Sequence, residues 1–154
     1  MINSTDLEAF GYYDETDKET KTPLEMVLEF AETMGQPMGL SETNEDFTSS
    51  VELGFSLILE EADEFEEAHM QELFVGKPSE HTLKELLDLI YVAYGYAARR
   101  GWDVDTALVD LHENNMGRCI WPDGTIHRRE DGKVMKNPDH PKLNLSKYVK
   151  WRGK

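Results

Sequence analysis

Apolar positions return at helical spacing in four separate stretches of the chain. Leu24, Val27, Leu28 and Ala31 follow Thr22-Pro23, where threonine can cap a helix and proline suits its first turn. Gly35 and Pro37 end that stretch. From about Ser49 to Leu73, Val51, Phe55, Ile58, Leu59, Ala62 and Phe65 fit a period of 3.6, until Gly76-Lys77-Pro78 breaks it. A third helix is expected from near His81-Thr82, with Leu83, Leu86, Leu87, Ile90, Tyr91, Tyr94, Ala97 and Ala98 as a wide apolar stripe; Arg99 and Arg100 suit its last turn and Gly101 stops it. A fourth is expected from about Val104 to Met116, with Asp103 or Asp105 as its cap and Ala107, Leu108 and Leu111 turned inward. Beyond Gly117, Pro122-Asp123-Gly124 and Asp131-Gly132 are turn sequences, and 125–128 and 133–136 are placed to pair as a small hairpin. Residues 1–22 are polar and without period and read as an N-terminal arm, with Tyr12 and Tyr13 as docking points. The expectation is one all-α domain over 23–154: a four-helix core with a short irregular or hairpin tail.

Charge narrows the function classes. Thirty-one acidic residues against 16 basic ones leave a net charge of −15, a field that repels nucleic acid and anionic membranes. No stretch is apolar enough to span a bilayer, the N-terminus has no signal-peptide pattern, and Cys119 is the single cysteine. A cytoplasmic protein is expected. The acids crowd the middle: 41–88 contains Lys77 and Lys84 as its only cations, whereas 118–154 is basic. An acidic centre and a basic end suit a cation site and an anion clamp, the pair that a metal-bound phosphate ester requires.

The densest chemistry is Glu60-Glu61-Ala62-Asp63-Glu64 on the second helix and Glu85-Leu86-Leu87-Asp88 on the third. Residues three apart share a helix face, so Glu61 with Glu64, and Glu85 with Asp88, lie beside the apolar stripes. If the two helices pack antiparallel, four carboxylates converge. Such a cluster must either take up protons or be neutralised by a hard cation, and oxygen-only ligands suit Mg2+ or Mn2+. A di-iron carboxylate bundle would need two Glu-x-x-His units; Glu66-Glu67-Ala68-His69 supplies one and no second exists.

Glu60-Glu61-x-x-Glu64, twenty intervening residues and Glu85-x-x-Asp88 resemble the signature of the MazG-like all-α nucleoside triphosphate pyrophosphatases. Three other segments are similar to that family in the same order: Phe30 to Met38; Leu111 to Arg118, where relatives usually end in Ser-Asn-Met-Ser-Lys; and Asp131 to Lys136 followed by Pro138 and a Leu-Ser-Lys-Tyr end. The resemblance covers roughly residues 23–149. It implies a helical dimer or dimer of dimers that cleaves (deoxy)nucleoside triphosphates to the monophosphate and pyrophosphate. It makes Glu61, Glu64, Glu85 and Asp88 the Mg2+ ligands and Glu60 a water-positioning residue. Asn115 and Arg118 would face the phosphates, and Lys133 and Lys136 would close over them. Glu64 or Glu60 would take the proton of the attacking water. Two positions depart from the pattern: Ala31 replaces a common histidine, and Gly117 replaces serine next to Arg118. The alternatives are phosphoribosyl-ATP pyrophosphohydrolase, which uses the same cation chemistry, and a non-enzymatic acidic helical module for a basic partner.

Overall fold

A computed structural model describes residues 20–40 and 43–149. The expected docking tyrosines, Tyr12 and Tyr13, and most of the N-terminal arm lie outside these residues. Four helices carry the fold: α1 (Pro23–Thr33), α2 (Phe47–Val75), α3 (Glu80–Arg99) and α4 (Val104–Cys119). No strand is formed among the described residues, so the all-helical expectation holds.

Local chemistry sets the helix ends. Thr22 and Glu25 form a reciprocal capping box around Pro23. Gly76, at φ 71°, ends α2 in the left-handed region and donates its N–H to Glu72 O at 2.8 Å. Ser79 caps α3 and Asp103 caps α4. Glu72 Oε2 also accepts the N–H of Ser79 at 2.8 Å, which ties the two sides of the α2–α3 connection together. α4 runs one turn further than its apolar pattern, so Gly117 and Arg118 are helical.

α2 and α3 form a long antiparallel hairpin. Near its closed end Thr82 Oγ1 donates to Ala68 O at 3.2 Å; at its open end Arg99 Nη1 donates to Ser50 Oγ at 3.1 Å. This register sets Glu64 opposite Glu85 and Glu61 opposite Asp88. α1 lies across α3, burying Val27 and Ala31. α4 meets α1 and buries none of its own side chains. The tail returns to α4: Asn137 N–H donates to Arg118 O at 2.7 Å, and buried Tyr148 donates its hydroxyl to Asp110 Oδ2 at 2.7 Å.

One sequence expectation is corrected: Leu108, expected to turn inward, is 51% exposed. The stretches 125–128 and 133–136 pair as a minimal hairpin: an antiparallel bridge joins Arg128 to Val134, and the Met135 N–H donates to His127 O at 2.8 Å. Most of these residues are exposed, Ile126 and Met135 among them, and an isolated two-stranded ribbon is marginal in water, so the pairing goes no further. The apolar stripes are also far less covered than a closed core requires. Phe55, Leu59, Leu83, Leu87, Ile90 and Leu108 are exposed, and Phe74 is 93% exposed. None of the described helices is long and apolar enough to cross a membrane.

Candidate active site

The antiparallel register delivers three of the four expected carboxylates to one point. Ligand oxygens of Glu61, Glu64 and Glu85 lie within 4.8 Å of one another. They differ in setting. Glu85 is 3% exposed, Glu61 is half-buried and Glu64 faces solvent. Glu61 Oε2 is buried without a hydrogen-bond donor. Loss of hydration, followed by repulsion from Glu64 and Asp88, raises the Glu61 pKa above its ordinary value. An orphaned buried oxygen, an acidic group made costly to ionise and an all-oxygen donor set are what a hard divalent cation would satisfy. The residues present therefore fit Mg2+ or Mn2+.

Asp88 stands beside this trio, engaged elsewhere. Lys84 Nζ reaches Asp88 Oδ2 at 2.8 Å and both Glu85 oxygens at 3.1 Å. His81 Nδ1 approaches Glu85 Oε1 at 3.0 Å. The lysine thus places a positive charge across two of the expected ligands. Its hydrogen bonds to Asp88 and then Glu85 hold the ammonium protonated well above the usual lysine range. Glu60 is exposed on the adjoining turn of α2.

A cleft of about 470 Å³ opens beside the carboxylates. Val27 and Phe30 of α1 and Leu53, Leu57, Tyr91 and Val92 of the hairpin form apolar walls, with Glu61 and Asp88 contributing the acidic lining. Phe30 and Tyr91 meet edge to face, with ring centres 6.0 Å apart. Arg99 lines the same cleft. It is only 6% exposed and donates to Ser50 Oγ at 3.1 Å and Gln36 Oε1 at 3.3 Å. Gly54 permits this placement, because a Cβ there would lie 2.8 Å from Arg99 Cδ.

Two of the four expected phosphate-facing residues, Arg118 and Lys136, meet at a different cavity. Arg118 and Lys136 line a cavity of about 290 Å³ with Asn114, His140 and Lys142. Arg118 donates to Asn115 Oδ1, while its Nε is buried without a partner. Lys133 is exposed, and its backbone closes the 129–133 turn. Gly117 has a packing role that its motif position did not suggest: a Cβ there would lie 2.8 Å from the His140 ring. This cavity shares no lining residue with the cleft beside the carboxylates.

Lys84 and Arg99 were the functional candidates hidden from sequence reading. Arg99 looked like an ordinary cation at a helix C-terminus. Its four-residue spacing to Asp88 was the available signal for Lys84.

Comparison with individual curated proteins finds no match. The sequence profile of phosphoribosyl-ATP pyrophosphohydrolase matches residues 27–115, a span that begins in α1, includes all of α2 and α3 with their carboxylates, and ends in α4. That family falls within the MazG-like all-α nucleoside triphosphate pyrophosphatase superfamily, and the match is to this family and not to MazG itself. With more than half of its length matched and the acidic hairpin inside the matched span, the chain belongs to the phosphoribosyl-ATP pyrophosphohydrolase family.

Proposed function

We propose that this protein hydrolyses phosphoribosyl-ATP to phosphoribosyl-AMP and pyrophosphate. The observation that carries the reading is the convergence of Glu61, Glu64 and Glu85 inside the span matched to that family. Glu61, Glu64 and Glu85 would hold Mg2+, with Asp88 joining them once Lys84 is displaced. The cation, when bound, would offset the charge of the triphosphate and of the departing pyrophosphate.

The chain's residues divide the remaining work. Glu64, the solvent-facing member of the trio, accepts a proton from water, with Glu60 on the same helix face to orient that water. The water oxygen forms a new bond to the α-phosphorus, and the bond from that phosphorus to the bridging oxygen breaks. Pyrophosphate leaves with the electron pair. The apolar walls at Phe30, Leu57 and Tyr91 shield the nucleoside from water and leave few polar groups to distinguish bases. Arg118 and Lys136, whose cavity shares no lining residue with the carboxylate cleft, act on the phosphates from a second copy of the chain, with Asn115 and Lys133 alongside them.

Hydrolysis of ordinary nucleoside triphosphates is the second reading. The motif resemblance at 111–118 and 131–148 favours it, because much of that resemblance falls beyond the family match. The test is a substrate panel containing phosphoribosyl-ATP and the common ribo- and deoxynucleoside triphosphates, with pyrophosphate and orthophosphate assayed separately. The expected result is Mg2+-dependent pyrophosphate release, fastest with phosphoribosyl-ATP. Faster turnover of a common triphosphate selects the second reading, and stepwise orthophosphate release defeats both.

A further inference from the structure

The cleft has two ends of opposite charge. Glu61 and Asp88 line one end and Arg99 the other. Asp88 and Arg99 are eleven residues apart on α3, or about 16 Å at the rise of an α-helix. Arg99 thus lies about three helical turns from Asp88, at the other end of the cleft.

Arg99 has the marks of an anion receptor. It is buried, and its described hydrogen-bond partners, Ser50 and Gln36, are both neutral. A buried guanidinium remains charged even though lost hydration lowers its pKa. Two hydrogen bonds engage two of its five N–H donors. Arg99 also lines an adjoining hollow of about 360 Å³, formed with Gln36, Pro37, Asp46, Ser49 and Ser50 at the N-terminus of α2. The N-cap residue of that 29-residue helix, Asp46, makes no capping hydrogen bond. Arg99 and Asp46, Ser49 and Ser50 of the α2 start thus line one hollow at the end of the cleft remote from the carboxylates.

We infer that Arg99 forms a second phosphate site, which takes the terminal phosphate on the far side of the substrate. This inference rests on the proposed function. Phosphoribosyl-ATP carries its triphosphate on one ribose and a monophosphate on the second, with the purine between them, and so has an anionic group at each end. A plain nucleoside triphosphate has none at the far end. Arg99 is then a specificity-determining residue: it selects the doubly phosphorylated nucleotide and leaves the phosphoryl chemistry alone. The Asp46 carboxylate borders the same hollow and weakens the site, so Asp46→Asn strengthens it.

Calorimetric titration of the full chain without divalent cation, using phosphoribosyl-AMP and AMP as probes, tests the inference. The wild type is expected to bind phosphoribosyl-AMP at least ~10-fold more tightly than AMP, the factor expected of charge-assisted hydrogen bonds to one phosphate. Arg99→Gln should abolish that preference and leave AMP binding unchanged. Arg99→Lys, which preserves the buried charge but not the fork, should retain part of the preference and serves as the control if the glutamine variant fails to fold. Equal loss for both probes in a folded Arg99 variant, or no preference in the wild type, overturns the inference. The pyrophosphate assay separates this from failure of the function: an enzyme that cleaves phosphoribosyl-ATP best, yet shows no dependence on Arg99, retains its function and loses this site.

Discussion

Lys84 Nζ lies 2.8 Å from Asp88 Oδ2, one helical turn along α3, and the same ammonium bridges to the buried carboxylate of Glu85. The lysine and a divalent cation would therefore compete for the same oxygens. Replacing Lys84 with methionine retains the aliphatic stem and removes the competitor. Isothermal titration should show Mg2+ binding several-fold tighter in Lys84→Met. The metal-free variant should melt at a lower temperature than the wild type, because its clustered acids lose their nearest cation. Weaker metal binding in the variant would mean that the lysine supports the site.

Glu64→Gln keeps size and helix propensity while removing one negative oxygen from the trio. Turnover should fall at least ~100-fold, equivalent to ~2.7 kcal/mol of transition-state stabilisation, with the helical circular dichroism unchanged. Full activity in this variant would exclude Glu64 from the site. Asp88→Asn should also reduce turnover. Comparison of its metal affinity with that of Lys84→Met reports whether Asp88 joins the ligands.

The exposed apolar stripe Leu83, Leu87 and Ile90 on α3, together with Phe55 and Leu59 on α2, calls for a covering surface. A second copy would provide it and would bring a basic tail to the carboxylates. Light scattering at micromolar concentration should therefore give a mass near twice 17.7 kDa, or a further doubling of it. Leu87→Glu should shift the population towards single chains and reduce activity. A fully active wild-type species of 17.7 kDa would exclude a shared site.

Asp110 anchors the tail by accepting hydrogen bonds from Lys147 and Tyr148, both at 2.7 Å. Lys147 first, then Tyr148, hold its pKa below the ordinary 3.8. A depressed carboxylate pKa contributes stability above the unfolded value, and that contribution is lost as pH falls through the lower folded value. The melting temperature of the wild type should thus exceed that of Asp110→Asn near neutral pH. The gap should close as the solution is acidified below 3.8. A gap that persists in acid would assign the anchoring to packing of the Tyr148 ring.

Periodicity and end chemistry alone made the four helices legible. Thr22-Pro23, Gly76, Asp103 and the apolar repeats act within a few residues of themselves, so their effects can be read locally. The spacing of Glu61 to Glu64 and of Glu85 to Asp88 likewise determined that each pair shares a helix face. Tertiary structure decided which of these acids meet. It set Glu64 opposite Glu85 through a register fixed by contacts such as Thr82 to Ala68. It also buried Arg99 against Gly54 and placed Arg118 and Lys136 beside His140. Those outcomes depend on close approach between distant segments and on which polar groups lose water, and no repeat along the chain encodes either.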